Sequence, residues 1–307
     1  MYSFIVNPHA RSGLGSVIWN QLDTILKEKK IAYEVYFTNY QKHATEIARQ
    51  ITSDGEEHTL IALGGDGTVN EVVNGISDYN KTILGYIPIG SSNDFARGLK
   101  IPKDPFKALE LILEQPHFHP MDIGELRYKN RLRRFAVSCG LGFDADICHE
   151  AVVSHLKYVF NKLKLGKLTY VGIALHRLFL TKPCELTLTL DGTVKKTFSN
   201  TYFVAFMNNQ YEGGGARFCP KAKNDDGKLG VIVASNISKL KVLFVIPFAF
   251  FGLHTIFKGV DIFSCKHAEV LAERPLPLHT DGEPIFLQQQ ISVCCAPQKL
   301  RIITSRT

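Results

Sequence analysis

The chain has 307 residues, 21% charged and 45% hydrophobic, with 36 Lys and Arg against 29 Asp and Glu for a formal net charge of +7. Those proportions exclude a disordered chain, a collagen and a coiled coil, and a chain of this length can bury a core without metal or disulfide staples. The mild basic excess suits a partner with phosphates or an anionic membrane surface, but it is too spread out to indicate nucleic-acid binding.

The cysteines, Cys139, Cys148, Cys184, Cys219, Cys265, Cys294 and Cys295, are odd in number and form no Cys-x-x-Cys pair. They read as thiols in a reducing cytosol, not as a disulfide framework or a zinc site. The first residues, Met1 to Pro8, carry no charged leader and no long apolar run, so they read as a strand and not a signal peptide.

The first third alternates short apolar runs with amphipathic stretches. Strands are expected at Tyr2–Val6, Tyr33–Phe37, Thr59–Leu63 and Ile83–Ile87, and helices at Val17–Lys30, Ala44–Ile51, Val69–Ile76 and Asp94–Leu99. Strand and helix in turn give a mostly parallel, doubly wound sheet. Near residue 122 the rhythm changes. Short β-branched runs follow, at Phe135–Cys139, Glu185–Leu190, Tyr202–Met207 and Leu229–Ala234, with Asp191-Gly192 as a hairpin signal. Two segments interrupt this β-rich half. Ala151 to Leu180 reads as helical and basic, and Leu240 to Phe257 is strongly apolar. His117 and His119 read as strand or loop residues, not metal ligands.

Leu63-Gly64-Gly65-Asp66-Gly67-Thr68 lies between an apolar strand and an amphipathic helix. Glycines there let the backbone approach a ligand, and a helix N-terminus favours phosphate. Asp66 would repel a phosphate unless it works through a divalent cation or as a base. Taken alone, Asp281-Gly282-Glu283 reads as a hairpin turn, and Asn224-Asp225-Asp226-Gly227-Lys228 as an acidic β-turn without metal. Arg97 reads as a phosphate contact or a solvated helix charge.

The Gly64–Thr68 run resembles the nucleotide loop of diacylglycerol kinases, sphingosine kinases, NAD kinases and phosphofructokinases. Asn7-Pro8 with Gly13 and Gly15, Pro88-Ile89-Gly90-Ser91-Ser92-Asn93-Asp94-Phe95-Ala96-Arg97, and Thr280-Asp281-Gly282-Glu283 resemble, in order, motifs of the diacylglycerol kinase catalytic domain. Ser91 stands where that family usually has Thr, and the hydroxyl is kept. The likeness covers nearly the whole chain and is nearest to soluble bacterial lipid kinases. It implies an ATP site lined by Asn7, Thr38, Gly64, Gly65, Asp66, Gly67, Thr68, Asn70, Ser91 and Asn93. It also implies a Mg²⁺ and water network on Asp66, Asp94 and Asp122, and Glu283 as the catalytic base. A structural Mg²⁺ is implied on the Asp226 carboxylate and the Lys223 and Lys228 carbonyls.

The expectation is therefore an α/β protein. A doubly wound nucleotide-binding domain covers residues 1–123, and residues 291–307 return to it on the strength of the resemblance. A β-sandwich-like lipid domain covers 124–290. The expected enzyme phosphorylates a lipid hydroxyl, with diacylglycerol first. A sphingoid or other lipid and an NAD kinase-like activity are the alternatives, and Asn93–Arg97 with Asp281–Glu283 argue for the lipid branch. A non-catalytic binding module would have lost a carboxylate, whereas Asp66, Asp94, Asp122 and Glu283 are all present. The expected partner is a lipid at a membrane surface, with no nucleic acid. The expected place is the cytoplasm, with peripheral contact at the inner membrane face. A homodimer and the choice of ATP over GTP are left open. The uncharged run Val242–Leu253 is too short to span a bilayer, which needs ~20 residues. With Lys239, Lys241 and Lys258 around it, the run suits either an interfacial contact or burial against the protein's own sheet.

Overall fold

A computed structural model describes residues 1–114, 116–153, 172 and 175–305. Four parallel strands open the chain: β1 (Tyr2–Val6), β2 (Tyr33–Phe37), β3 (His58–Gly64) and β4 (Thr82–Pro88). Between and after them run α1 (Ala10–Glu28), α2 (His43–Thr52), α3 (Asp66–Gly75), α4 (Asp94–Gly98) and α5 (Pro105–Glu114). Then come β5 (His117–Met121) and, from the far end of the chain, β15 (Leu300–Thr304). Together the six strands form one sheet in the order β2-β1-β3-β4-β15-β5. From Leu60 to Gly64 every β3 residue is buried, as a parallel strand covered on both faces requires. Phe4, Trp19, Leu22, Leu63 and Tyr86 anchor the core between sheet and helices.

Two details depart from the sequence reading. Helix α1 begins at Ala10, not Val17, and bends at Arg11, Ser12 and Gly13, whose φ angles are +47°, +60° and +92°. Helix α5, which the sequence reading did not include, carries Pro at its first position and buries Ala108, Leu109 and Ile112. His117 and His119 lie in β5, antiparallel to β15.

The second half holds β6 (Gly124–Tyr128), β7 (Arg131–Phe135), β8 (Ser138–Gly142), β9 (Cys184–Leu190), β10 (Val194–Met207), β11 (Leu229–Ser235), β12 (Val260–Cys265), β13 (His267–Thr280) and β14 (Glu283–Cys295). They form a nine-stranded sheet, β12-β11-β10-β8-β13-β14-β6-β7, with β9 joined to β10 and β13. Each of β10 and β13 pairs with β9 along its first part and with β8 along its last. Their registers shift between Phe198 and Phe203 and between Leu271 and Leu278. Such irregularities bend long strands, so the sheet curls over an apolar interior that includes Leu141, Leu188, Phe206 and Val270.

Helix α6 (Phe143–Val153) follows β8. Most of the expected basic helix lies outside the described residues; its residues 175–180 are helical, and Arg177 forks onto Asp146. The apolar run forms α7 (Lys239–Ala249), capped by Ser238, and a 3-10 turn at Leu253–Ile256. No helix among the described residues is long and apolar enough to cross a membrane.

Candidate active site

Two glycine loops meet at the C-terminal edge of the first sheet. The loop from β3 to α3 carries Gly64 and Gly65, and the loop from β4 to α4 carries Gly90. They touch backbone to backbone: a Cβ on Gly90 would lie 2.7 Å from Gly65 Cα. A Cβ on Gly64 would lie 2.3 Å from Thr68 Oγ1. A third turn, between β1 and α1, is equally tight, for a Cβ on Gly15 would strike the Asn7 carbonyl at 2.0 Å. Side chains larger than hydrogen have no room at these positions.

These loops border a cleft of about 460 Å³. Its lining includes Asn7, Thr38, Gly65, Gly67, Thr68, Ser91 and Glu283, all expected from the sequence. The N-terminus of α3 opens into it, so amide N–H groups and the positive helix end face the space. Asn7 Nδ2 donates to Thr68 Oγ1 at 3.3 Å and its Oδ1 accepts from His9 N, tying the first turn to α3. Arg11, Asn39, Tyr40, Gln41 and Glu71 also line the cleft, and the sequence reading missed them. Asn39, Tyr40 and Gln41 stand on a segment with no motif, and Arg11 and Glu71 lie within or beside motif runs without being singled out. Glu71 caps α2 by accepting from Lys42 N and Ala44 N at 2.8 and 3.2 Å, a role that no local spacing announces.

Glu283 comes from the other sheet. It is the first residue of β14, after a two-residue turn in which Asp281 and Gly282 both have positive φ, +48° and +80°, as a primed hairpin turn demands. Its Oε1 lies 2.8 Å from where a Cβ on Gly67 would stand, and its Oε2 accepts from Gln41 Nε2 at 3.2 Å. The carboxylate thus rests against the glycine turn and receives a hydrogen bond.

The turn is both a hairpin and part of the site, and Asp281 makes it so. Its Oδ1 accepts from Val137 N and Ser138 N at 2.8 and 2.9 Å. Its Oδ2 accepts from Ala136 N and Asn70 Nδ2 at 2.9 and 2.7 Å. Behind the turn, His279 Nδ1 accepts from Gly282 N at 3.1 Å. His279 Nε2 faces Asp144 and Glu212 at 3.2 and 3.4 Å. Burial pushes the Glu212 carboxyl up to about 7.

Asp66 and Asp94 lie beside each other under the glycine loops. Asp66 caps α4 with both oxygens, accepting from Asp94 N and Phe95 N at 3.1 Å. Asp94 Oδ2 accepts from Gly214 N at 2.7 Å, while its buried Oδ1 has no hydrogen-bond partner. Arg97 Nε is 3.5 Å from that oxygen, so Arg97 pairs with Asp94 instead of standing free. Burial, with the Asp94 carboxyl adding, pushes Asp66 up to about 7. Unfolded, Asp66 titrates near its ordinary value of 3.8. The folded state therefore holds the extra proton between those values, and this group costs stability as the pH rises through that window. Raising the pH from about 5 to about 8 without divalent cations should lower the melting temperature of the wild type by several degrees more than that of Asp66→Asn. Parallel melting-temperature profiles would contradict the placement of this carboxyl.

Four expected nucleotide-site residues do not line the cleft: Asp66, which caps α4, and Gly64, Asn70 and Asn93. Asn70 is occupied by Asp281 and the Arg134 carbonyl, and Asn93 by the Gly90 carbonyl and the Tyr86 hydroxyl. The Gly64 carbonyl accepts from Tyr86 and Ile89 beneath the loop. These groups brace the walls. Asp122 is not beside Asp66 either. It accepts from Gly227 N at 2.6 Å and pairs with Lys299 Nζ at 3.1 Å.

The second expected metal position is the 223–228 turn. Asp226 is exposed there and accepts from Lys228 N at 3.1 Å. The carboxylate facing the turn is Asp122, and Lys299 Nζ also donates to the Asp225 carbonyl at 2.5 Å. Lys299 thus joins the Asp122 carboxylate to the turn. Lys299→Met should cost about 1–2 kcal/mol, less than a fully buried pair because Lys299 is partly exposed. A thermal melt reads this as a loss of a few degrees. An unchanged melt would show that the pair is not needed, and rescue of the variant by added Mg²⁺ would identify the turn as a metal site.

Comparison with known proteins decides the family. A family model described as the diacylglycerol kinase catalytic domain matches residues 1–126. A second, described as the YegS C-terminal NAD kinase beta sandwich-like domain, matches residues 139–304. "Putative lipid kinase YtlR" of Bacillus subtilis is 31% identical over 307 residues, covering 98% of both chains. The chain belongs to the diacylglycerol kinase catalytic-domain family. It is a lipid kinase. A "Diacylglycerol kinase" of Staphylococcus aureus is 31% identical over 264 residues, 85% of this lipid kinase and 79% of the relative. The crystal structure of a "putative diacylglycerol kinase" from Bacillus anthracis matches with a TM-score of 0.77 at 24% identity, covering 99% of this chain and 95% of that one. At that identity the likeness speaks for the lipid kinase's fold alone.

Proposed function

We propose that this lipid kinase transfers the γ-phosphate of ATP to the free hydroxyl of diacylglycerol, giving phosphatidic acid and ADP. The observation that carries the reading is the Glu283 carboxylate set against Gly67 at the N-terminus of α3. A phosphate held by that N-terminus would have a base beside it, and phosphoryl transfer needs positioning and charge neutralisation more than covalent help. Glu283 takes the proton from the lipid hydroxyl as its oxygen bonds to the γ-phosphorus. The bond from that phosphorus to the bridging oxygen breaks, and ADP leaves. The Gln41 amide, by donating to Glu283, keeps the carboxylate aimed.

Asp66 and Asp94 would hold Mg²⁺. The fit rests on the buried Asp94 oxygen that lacks a hydrogen-bond partner and on two adjacent carboxyls beside Arg97, since Mg²⁺ favours oxygen ligands shared with phosphate. When bound, the ion would neutralise charge on the transferred phosphate. An apolar acceptor agrees with Phe286 and Leu287, just past Glu283, which are 85% and 55% exposed.

The test is transfer of labelled phosphate from ATP, with Mg²⁺, to diacylglycerol, monoacylglycerol and sphingosine in mixed micelles, with NAD in parallel. Labelled phosphatidic acid is the expected product. Labelled NADP with silent lipids would overturn the reading.

A further inference from the structure

The apolar run that the sequence left open between core and membrane is on the surface. Helix α7 buries only Val245 and Ala249. Leu240, Phe244, Phe250, Phe251, Leu253 and Ile256 are between 50% and 75% exposed. Scattered exposed apolar residues are ordinary, but a contiguous group along one helix and its following turn marks an interaction surface.

We propose that this surface docks on an anionic lipid bilayer, which rests on the assignment of the chain as a lipid kinase. The helix has 11 residues, too few to cross a membrane, so it would lie in the interfacial plane. No Asp or Glu occurs between Lys239 and Lys258. The ammonium groups of Lys239 and Lys241 rest on the carbonyls of Phe179 and Lys258, so their charge is held at the patch without a carboxylate partner among the described residues. That charge complements anionic headgroups. It also disfavours a second copy of the chain, because a two-fold interface would bring the same cations together.

The patch is joined to the site. Arg217 N donates to the Ala249 carbonyl at 2.8 Å, and Gly252 packs on Pro220. Three residues before Arg217, Gly214 N donates to Asp94. A bilayer holding α7 would therefore lie one short loop from the cleft that must receive a lipid.

The experiment is co-sedimentation with phosphatidylcholine vesicles, with and without phosphatidylglycerol, for the wild type and for Phe244→Asp/Phe251→Asp. Both positions are exposed and outside the cleft. The wild type should bind the anionic vesicles and be released by salt, and the variant should bind at least about 30-fold more weakly. Lys239→Glu/Lys258→Glu should lose the preference for phosphatidylglycerol. The Phe variant should still phosphorylate a short-chain diacylglycerol in solution as the wild type does. Equal vesicle binding by wild type and Phe variant would overturn the proposal. So would a wild-type dimer that the variant abolishes without any vesicle binding. Wild-type binding with no lipid phosphorylated in any form would instead count against the substrate reading and leave the docking surface standing.

Discussion

Glu283→Gln should lower kcat for phosphate transfer to lipid by about 10²- to 10⁴-fold, the range for loss of a positioned general base. Nucleotide affinity and melting temperature should stay near those of the wild type. Glutamine keeps the shape that packs against Gly67 and can still meet the Gln41 amide, so only proton acceptance is lost. Single-turnover transfer from labelled ATP separates this from a binding defect. A variant that binds nucleotide poorly and then turns over at the wild-type rate would show Glu283 to be a wall of the cleft and not its base.

Asp281→Asn should damage both stability and activity. The Asp281 carboxylate receives four hydrogen bonds, three from the backbone of residues 136–138 and one from Asn70. An asparagine must turn its own NH₂ toward two of those donors. Leaving partly buried donors without an acceptor costs about 3 kcal/mol, since bonds to a charged group are worth roughly twice neutral ones. For a chain of this size that corresponds to a fall of about 5 °C in melting temperature. The activity loss should exceed what partial unfolding explains at a temperature where the variant is folded, because the same carboxylate fixes the turn that carries Glu283. A variant with the wild-type melting temperature would contradict the bonding described.

What the sequence showed, and what it hid, divides by range. Gly64–Thr68 was legible because strand, turn and helix are contiguous there, and glycine spacing has a local cause. The parallel sheet followed from alternating runs. Asp281 was not legible beyond its turn, because three of its donors lie 143 to 145 positions away and the fourth, Asn70, lies 211 away. The resemblance implied Asn70 and Asn93 as nucleotide contacts, yet the Asn70 amide closes on Asp281 and Arg134 across the fold and the Asn93 amide on Gly90 and Tyr86. Asp122 carried the right charge but faces the 224–228 turn and Lys299. Gln41 belongs to no motif and reaches the cleft only through the path of the chain. The facing of α7 could not be read, because a helix that is apolar all round has the same composition in a core as on a membrane face.

The proposed reaction requires nucleotide phosphates at the N-terminus of α3, with Glu283 beside them. The most direct measurement is a crystal structure with ADP and Mg²⁺. Phosphates are expected against Gly65, Gly67 and Thr68, on the side that Glu283 faces. A hollow of about 340 Å³ adjoins the cleft, sharing Arg11, Gly90 and Ser91 and adding Arg97 and Lys103. Phosphates found in that basic hollow, away from Gly67, would remove Glu283 from the chemistry.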